Sequence, residues 1–284
     1  MFFYAPIQAP RQTQYNGGMK IRLFQIDAFA DQLFTGNPAA VCPLAKWIPA
    51  DLMQSIAAEN NLAETAFVVG SDDRYEIRWF TPVVEVDLCG HATLAAGFAL
   101  MNHCDVKSNE VKFHSERSGD LSVKRVGERY ILNFPADQTR KCQTPAGLLE
   151  SLSEDSLPVI DCYRGKTDVM LVLECEEVVG DLKPNFHLLN QVDARGVIVT
   201  AASHEFDFVS RFFAPQAGID EDPVTGSAHT TLMPYWSSRL GKTELIGRQI
   251  SQRGGTLYCQ ALGDRVEIGG EAQTYLIGEI EVPG

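Results

Sequence analysis

Lys20 to Phe29 (KIRLFQIDAF) alternates apolar and polar side chains, the period of two expected of a strand with one buried face. Gly36-Asn37-Pro38 then supplies a turn before the short apolar run Ala39 to Cys42. Between Ile48 and Asn61 the period changes. Leu52, Met53, Ile56 and Ala57 fall on one helical stripe, with Pro49 near the start and Asn60-Asn61 at the end. Glu64 follows at the mouth of a strand predicted over Thr65 to Val69, and Tyr75 to Trp79 returns to strict alternation. Ala92 to Met101 is apolar or small on every side, which predicts a helix buried all round. Ala228 to Ser237 predicts a second helix, more polar and interrupted by Pro234. Residues 117–134 read as a hairpin opening a second half, and Leu257 to Val282 as closing strands.

The pattern also repeats. Arg78-Trp79-Phe80-Thr81-Pro82 returns as Arg211-Phe212-Phe213-Ala214-Pro215, each time after an alternating strand and before an acidic loop ending in a Gly-led turn. The turns are Cys89-Gly90-His91-Ala92-Thr93 and Thr225-Gly226-Ser227-Ala228-His229, and the motifs stand 133 residues apart, from Arg78 to Arg211 and from Pro82 to Pro215. Ala66 to Val69 matches Val197 to Val199 only with one or two residues inserted in the connecting turn. A buried helix wrapped by short strands, twice over, predicts an α+β fold of two pseudo-symmetric halves, each a curved, mostly antiparallel sheet around a central helix. A cleft between such halves is a favoured place for small-molecule chemistry. The expected division is an extension over 1–18, an N-terminal half over 19–116 with the strand 274–284 as a candidate addition, and a C-terminal half over 117–273.

With 284 residues and 45% apolar content, two medium cores are within reach. A net charge of -13 argues against nucleic acid or an anionic membrane as partner, and small molecules become the expected ligands. Seven cysteines at irregular spacings, with no CxxC pair and no zinc-binding spacing, lead to the expectation of a reducing, cytoplasmic location. Residues 1–18 lack the basic start and apolar centre of a signal peptide, and no later apolar run has membrane-spanning length.

The two Gly-led turns set glycine and small residues at helix starts, where unpaired backbone N–H groups and the positive end of the helix dipole suit an anion. A carboxylate is the natural guest, with Gly90 and Gly226 permitting close approach and Ser227 adding a hydroxyl; plain helix capping is the alternative. Three ionisable residues stand near such turns. Glu64, among apolar neighbours, is a candidate general acid/base, or else an exposed charge at a strand end. His91 is a candidate partner or an ordinary helix-start histidine. Asp222 is a third candidate, or one member of a solvated run of acids. Gly165-Lys166-Thr167 and Gly241-Lys242-Thr243 lack the earlier glycine of a P-loop, and there is no GxGxxG, HExxH or GxSxG. Neither a metal nor an organic cofactor is expected.

Asp27-Ala28-Phe29 with Gly36-Asn37-Pro38-Ala39-Ala40-Val41, Asn61-Leu62-Ala63-Glu64-Thr65-Ala66-Phe67, Asp87-Leu88-Cys89-Gly90-His91-Ala92-Thr93 and Glu221-Asp222-Pro223-Val224-Thr225-Gly226-Ser227-Ala228-His229 together resemble the phenazine biosynthesis PhzF-like family. The likeness runs from about Lys20 to the C-terminus in four ordered motifs. It implies a diaminopimelate-epimerase-like fold with the site between the halves, and a homodimer. It also implies a cofactor-independent isomerase akin to the one acting on trans-2,3-dihydro-3-hydroxyanthranilate. Carried over, Glu64 is the general acid/base, assisted by His91 and Asp222, while Gly90, Gly226 and Ser227 hold the substrate carboxylate. The epimerase relatives use two facing thiols, of which only Cys89 is present here, and Cys89 reads as a small packing residue. The alternatives are an amino- or imino-acid epimerase, racemase or dehydratase, and a non-catalytic small-acid binder.

Overall fold

A computed structural model describes residues 14–15 and 18–283. The chain divides into two compact units: the first runs to Asn133 and resumes at Gly269, and the second spans Phe134–Ile268. The extension expected over 1–18 lies mostly outside the described residues. Within it, Gln14–Tyr15 forms a short strand (β1) that pairs with Gly18 and Met19.

In the first unit β2 (Gly18–Ala28) pairs antiparallel with β3 (Asn37–Leu44), and the chain crosses through α1 (Ala50–Asn60) into β4 (Glu64–Ser71), parallel to β3. β5 (Arg74–Phe80) folds back on β4, and the short β6 (Glu85–Val86) leads to the central helix α2 (Gly90–His103). β7 (Glu110–Ser115) then lies parallel to β5, and β8 (Gly119–Val126) and β9 (Arg129–Pro135) follow as hairpin partners. α1 ends because Asn61 turns left-handed, with φ 49°, and returns its N–H to Ala57. Its buried face, Met53, Ile56 and Ala57, packs on Phe67 and Phe80. α2 lies within the sheet's curve, with Leu94 and Leu100 fully buried, each contributing about 1.5–3 kcal/mol by removal from water. Gly97 makes the fit possible, since a Cβ there would stand 2.6 Å from Val123 of β8.

The second unit starts with β10 (Arg140–Lys141), α3 (Leu148–Leu152), β11 (Val159–Arg164) and β12 (Asp168–Leu173). α4 (Glu176–Asp181) and α5 (Phe186–Leu189) precede β13 (Gly196–Ala202) and β14 (Phe208–Phe213). The central helix α6 (Gly226–Leu240), β15 (Glu244–Gln249), β16 (Gly255–Ala261) and β17 (Arg265–Gly270) complete it. β18 (Ala272–Pro283) belongs to the first unit, where it pairs antiparallel along β2 from Ala28 to Gly18.

The repeat seen in sequence is a repeat of topology. Antiparallel β2–β3, parallel β3–β4, antiparallel β4–β5, parallel β5–β7 and antiparallel β7–β8 recur in order and sense as β11–β12, β12–β13, β13–β14, β14–β15 and β15–β16. The chain is thus α+β, two pseudo-symmetric halves, each a curved, mostly antiparallel sheet around a central helix. The repeated arginine has one job in both: Arg78 grips Glu85 through two hydrogen bonds of 2.7 and 2.9 Å, and Arg211 grips Glu221 through two of 2.7 and 2.9 Å. Each guanidinium also lies over the phenylalanine two residues on, Phe80 or Phe213.

Two expectations need correction. The boundary expected at 116/117 falls at 133/134, because β8 pairs with β7 and its Val123 packs on α2, which keeps the hairpin in the first unit. The return to the first unit comes at Gly269, not at residue 274. Pro234 does not interrupt α6. It cannot donate to the Thr230 carbonyl, but that carbonyl accepts from the Asp137 N–H at 3.1 Å instead, so no polar group is stranded.

Candidate active site

Glu64 is the first residue of β4, opposite Ala39 of β3, and is only 8% exposed. The strand's parallel seat against β3 turns the carboxylate inward, so the exposed strand-end alternative is ruled out. His91, second residue of α2 and 6% exposed, brings its Nε2 to 3.1 Å from Glu64 Oε2. The contact is not aligned as an N–H···O bond, and neither atom has another partner among the described residues. On the far side of the ring, Nδ1 lies 3.2 Å from the Asn37 amide nitrogen and 3.5 Å from Cys89 Sγ. Asn37 is held there by the turn before it: Gly36 has φ +70°, and a Cβ would stand 2.3 Å from the Ala28 carbonyl.

Burial pushes the Cys89 thiol up to about 11, reinforced by the nearby Glu64 charge, so it is neutral at physiological pH. Burial also presses the His91 ring toward neutrality, but Cys89 and Glu64 outweigh it and hold its pKa well above the usual value. With Cys89 neutral, Glu64 is the cause that operates near pH 7. The Asn37 amide, a donor, opposes a second proton on Nδ1.

α2 begins at Cys89, extended at φ -139° and ψ 113°, and no side chain caps it. α6 begins likewise at Thr225, also without a side-chain cap. Each central helix therefore starts without a side-chain cap, with its first-turn backbone amides behind Gly90 or Gly226. Gly90 is half-buried, Gly226 buried and Ser227 exposed.

In the second unit Asp222 is buried at 7% and accepts a 2.5 Å hydrogen bond from Thr225 Oγ1. Gln249, fully buried, completes the knot: its Nε2 donates to the Asp222 carbonyl at 2.7 Å and to Thr225 Oγ1 at 3.2 Å, and its Oε1 accepts from the Thr225 N–H at 2.9 Å. The solvated-turn alternative for Asp222 is overturned, since Glu221 serves Arg211 and Asp222 serves the helix start. Beyond the turn, His229 Nδ1 donates to the Thr225 carbonyl at 2.8 Å, and burial lowers its pKa to about 4.

The structure thus joins Glu64 with His91 in the first unit, and Asp222 with Gly226 and Ser227 at one helix start in the second. Sequence reasoning missed Asn37 as a partner of His91, and Gln249 altogether. Gln249 did leave a signal, for it occupies the inward phase of β15 after Leu245 and Gly247. Glu64, Cys89 and His91 also offer ligand-type atoms within 4.8 Å of one another. A metal there would have to displace the thiol proton, whereas proton transfer between Glu64 and His91 requires no such step. No helix among the described residues is long and apolar enough to cross a membrane.

The chain is a duplicated α+β fold with a buried carboxylate and imidazole beside a helix start that no side chain caps. The fold extends to distant proteins such as a hydroxyproline epimerase of Agrobacterium vitis, at 11% identity and TM-score 0.55 over 96% of this chain and 95% of the other. The chain belongs to the phenazine biosynthesis-like (PhzC-PhzF) family, whose model matches residues 26–278. An isomerase of Pseudomonas aeruginosa is 51% identical over 93% of this chain and 100% of its own. A PhzF-family protein of Enterococcus faecalis is 45% identical, with TM-score 0.88 over 92% of this chain and 99% of the other.

Proposed function

We propose that this PhzF-family protein is a cofactor-independent isomerase of a small cyclic carboxylic acid. Glu64 takes a proton from carbon and returns it to a conjugated position on the same face. The observation that carries this reading is the buried Glu64 carboxylate 3.1 Å from His91 Nε2, next to the uncapped start of α2. An adjacent imidazole steadies either protonation state of the carboxylate as the proton comes and goes. The amides behind Gly90 are suited to the substrate carboxylate, and those behind Gly226, with the Ser227 hydroxyl, are its counterparts in the second half. Asp222 assists through Thr225, holding the second helix start in place. Relatives named as isomerases support the class.

Epimerisation by two facing bases is the second reading. Strand register works against it: Thr65 stands opposite Phe80 and Val197 opposite Phe213, so Glu64 matches Gly196, and Cys89 matches Thr225 at the helix start. Neither matched position carries a group that exchanges protons near neutral pH.

The test incubates the protein with trans-2,3-dihydro-3-hydroxyanthranilate and related cyclic acids in heavy water. Solvent hydrogen in the product, and a loss of about 10²–10⁴-fold in turnover for Glu64→Gln, are expected. Unlabelled product together with an active Glu64→Gln protein would overturn the mechanism, and inverted chirality in recovered substrate would favour epimerisation. A homodimer belongs to the same proposal, and sedimentation velocity tests it.

A further inference from the structure

His91 has to present its proton to Glu64 and not away from it, and the ring alone does not decide which nitrogen carries it. A neutral imidazole has one donor and one acceptor nitrogen, and the group bonded to the far nitrogen selects between them. The far nitrogen here is Nδ1, and what faces it is the Asn37 amide nitrogen at 3.2 Å. An amide NH₂ only donates. The second neighbour, Cys89 Sγ at 3.5 Å, is a thiol and has a proton to give but no charge to offer. The amide requires a lone pair on Nδ1 and the thiol is able to donate to the same lone pair, which puts the proton of the neutral ring on Nε2, the nitrogen 3.1 Å from Glu64 Oε2.

We propose that Asn37 is the positioning residue of this site: its buried amide fixes His91 as the Nε2–H tautomer, so that the ring's proton sits on the nitrogen beside Glu64. Asn37 suits the task because it is immobile. It is fully buried, it is the first residue of β3 in register with Ala28 of β2, and the turn before it admits only glycine at position 36. The Gly36-Asn37-Pro38 motif is thereby tied to the chemistry of a helix 54 residues further on. This inference rests on the Glu64–His91 reading above, yet its test needs no substrate.

Protein labelled with ¹⁵N-histidine reports the tautomer directly, because a protonated and an unprotonated ring nitrogen resonate far apart. The His91 signal is assigned by its loss in His91→Gln. Spectra recorded upward from about pH 6 to pH 10 carry the ring through its raised pKa into the neutral form. The wild type is expected to show a bare Nδ1 and a protonated Nε2. Asn37→Asp replaces the donor by an acceptor of the same shape, and the two nitrogen signatures are expected to exchange. Should that variant fail to fold, Asn37→Ala, which removes the clamp without adding charge, is expected to give a mixture of both tautomers. A neutral wild-type ring protonated on Nδ1, a ring protonated on both nitrogens throughout, or an unchanged pattern in folded Asn37 variants would each overturn the proposal. Failure here leaves the Glu64→Gln result standing, and failure of Glu64→Gln leaves the tautomer standing, so the two are separable.

Discussion

The two halves share a topology and differ in what they do with polar residues at the start of the central helix. In the first, Glu64, His91, Cys89 and Asn37 form a buried group in which Glu64 Oε2 and His91 Nε2 lie 3.1 Å apart. In the second, Gly196 stands where Glu64 would be, and Asp222, Thr225 and Gln249 bond to one another. The strand register gives the cause of the second arrangement. Phe208 of β14 pairs with Gly247 as Tyr75 of β5 pairs with Phe113, which matches Gln249 to Ser115, and Gln249 is long enough to bridge to the helix start where Ser115 is not. A cavity of about 300 Å³ in the first half is lined by Trp47, Arg78, Ser115 and Arg117, away from Glu64 and His91. The duplicated topology thus holds a buried carboxylate–imidazole pair in one half and a closed hydrogen-bond network in the other.

Making the halves alike is the harshest way to break that contrast. Gly196→Glu should destabilise the protein by about 3 kcal/mol or more in urea unfolding, because even a Cβ there meets the Phe212 ring at 2.4 Å and Asp168 Oδ1 at 2.9 Å. An unperturbed unfolding midpoint would show that the second half has room for a carboxylate after all.

Removing the bridge comes next. Gln249→Leu strands the Thr225 N–H and the Asp222 carbonyl, and a loss of about 2–4 kcal/mol is expected, with faster amide exchange at the start of α6 than of α2.

Acid should separate the halves by sign. His229 has its pKa lowered to about 4, so between there and the unfolded value near 6.5 the unfolded chain binds the extra proton, and stability falls with falling pH by up to about 1.4 kcal/mol per unit. His91 is shifted upward, so its contribution is complete below the unfolded value and is lost as pH rises through the folded one. Hydrogen exchange followed from neutrality toward pH 5 should therefore open α6 before α2. The reverse order would refute the assignment.

The mildest change is Cys89→Ala, expected to cost about 1 kcal/mol and less than about tenfold in turnover, as suits a neutral packing thiol. A loss matching that of Glu64→Gln would instead make the thiol a reacting group.

Much of this was legible in the chain. The Arg-aromatic-Phe motif recurs because each arginine clamps a glutamate in the following loop, so the sequence repeat and the ion pair are one constraint. The enclosure of Glu64 could be read from its apolar neighbours. The alternating segments betrayed the strands, with β5 extending to Arg74–Phe80 beyond the predicted Tyr75 to Trp79. The rest depended on partners distant in sequence. Pro234 signals a break unless one knows that Asp137 takes over its missing bond. Nothing local says that Asn37 meets His91, or that the hairpin after Ser115 folds back on α2.

The pairing of β18 with β2 carries a consequence for synthesis. The half whose strands start first is completed after the other, for β2 keeps a bare edge over Gly18–Ala28 until β18 is translated. The other half, encoded in one uninterrupted stretch, has all its strands by then. The lobe that holds Glu64 therefore matures after the other, and a nascent chain released before β18 would carry Glu64 in an unfinished sheet.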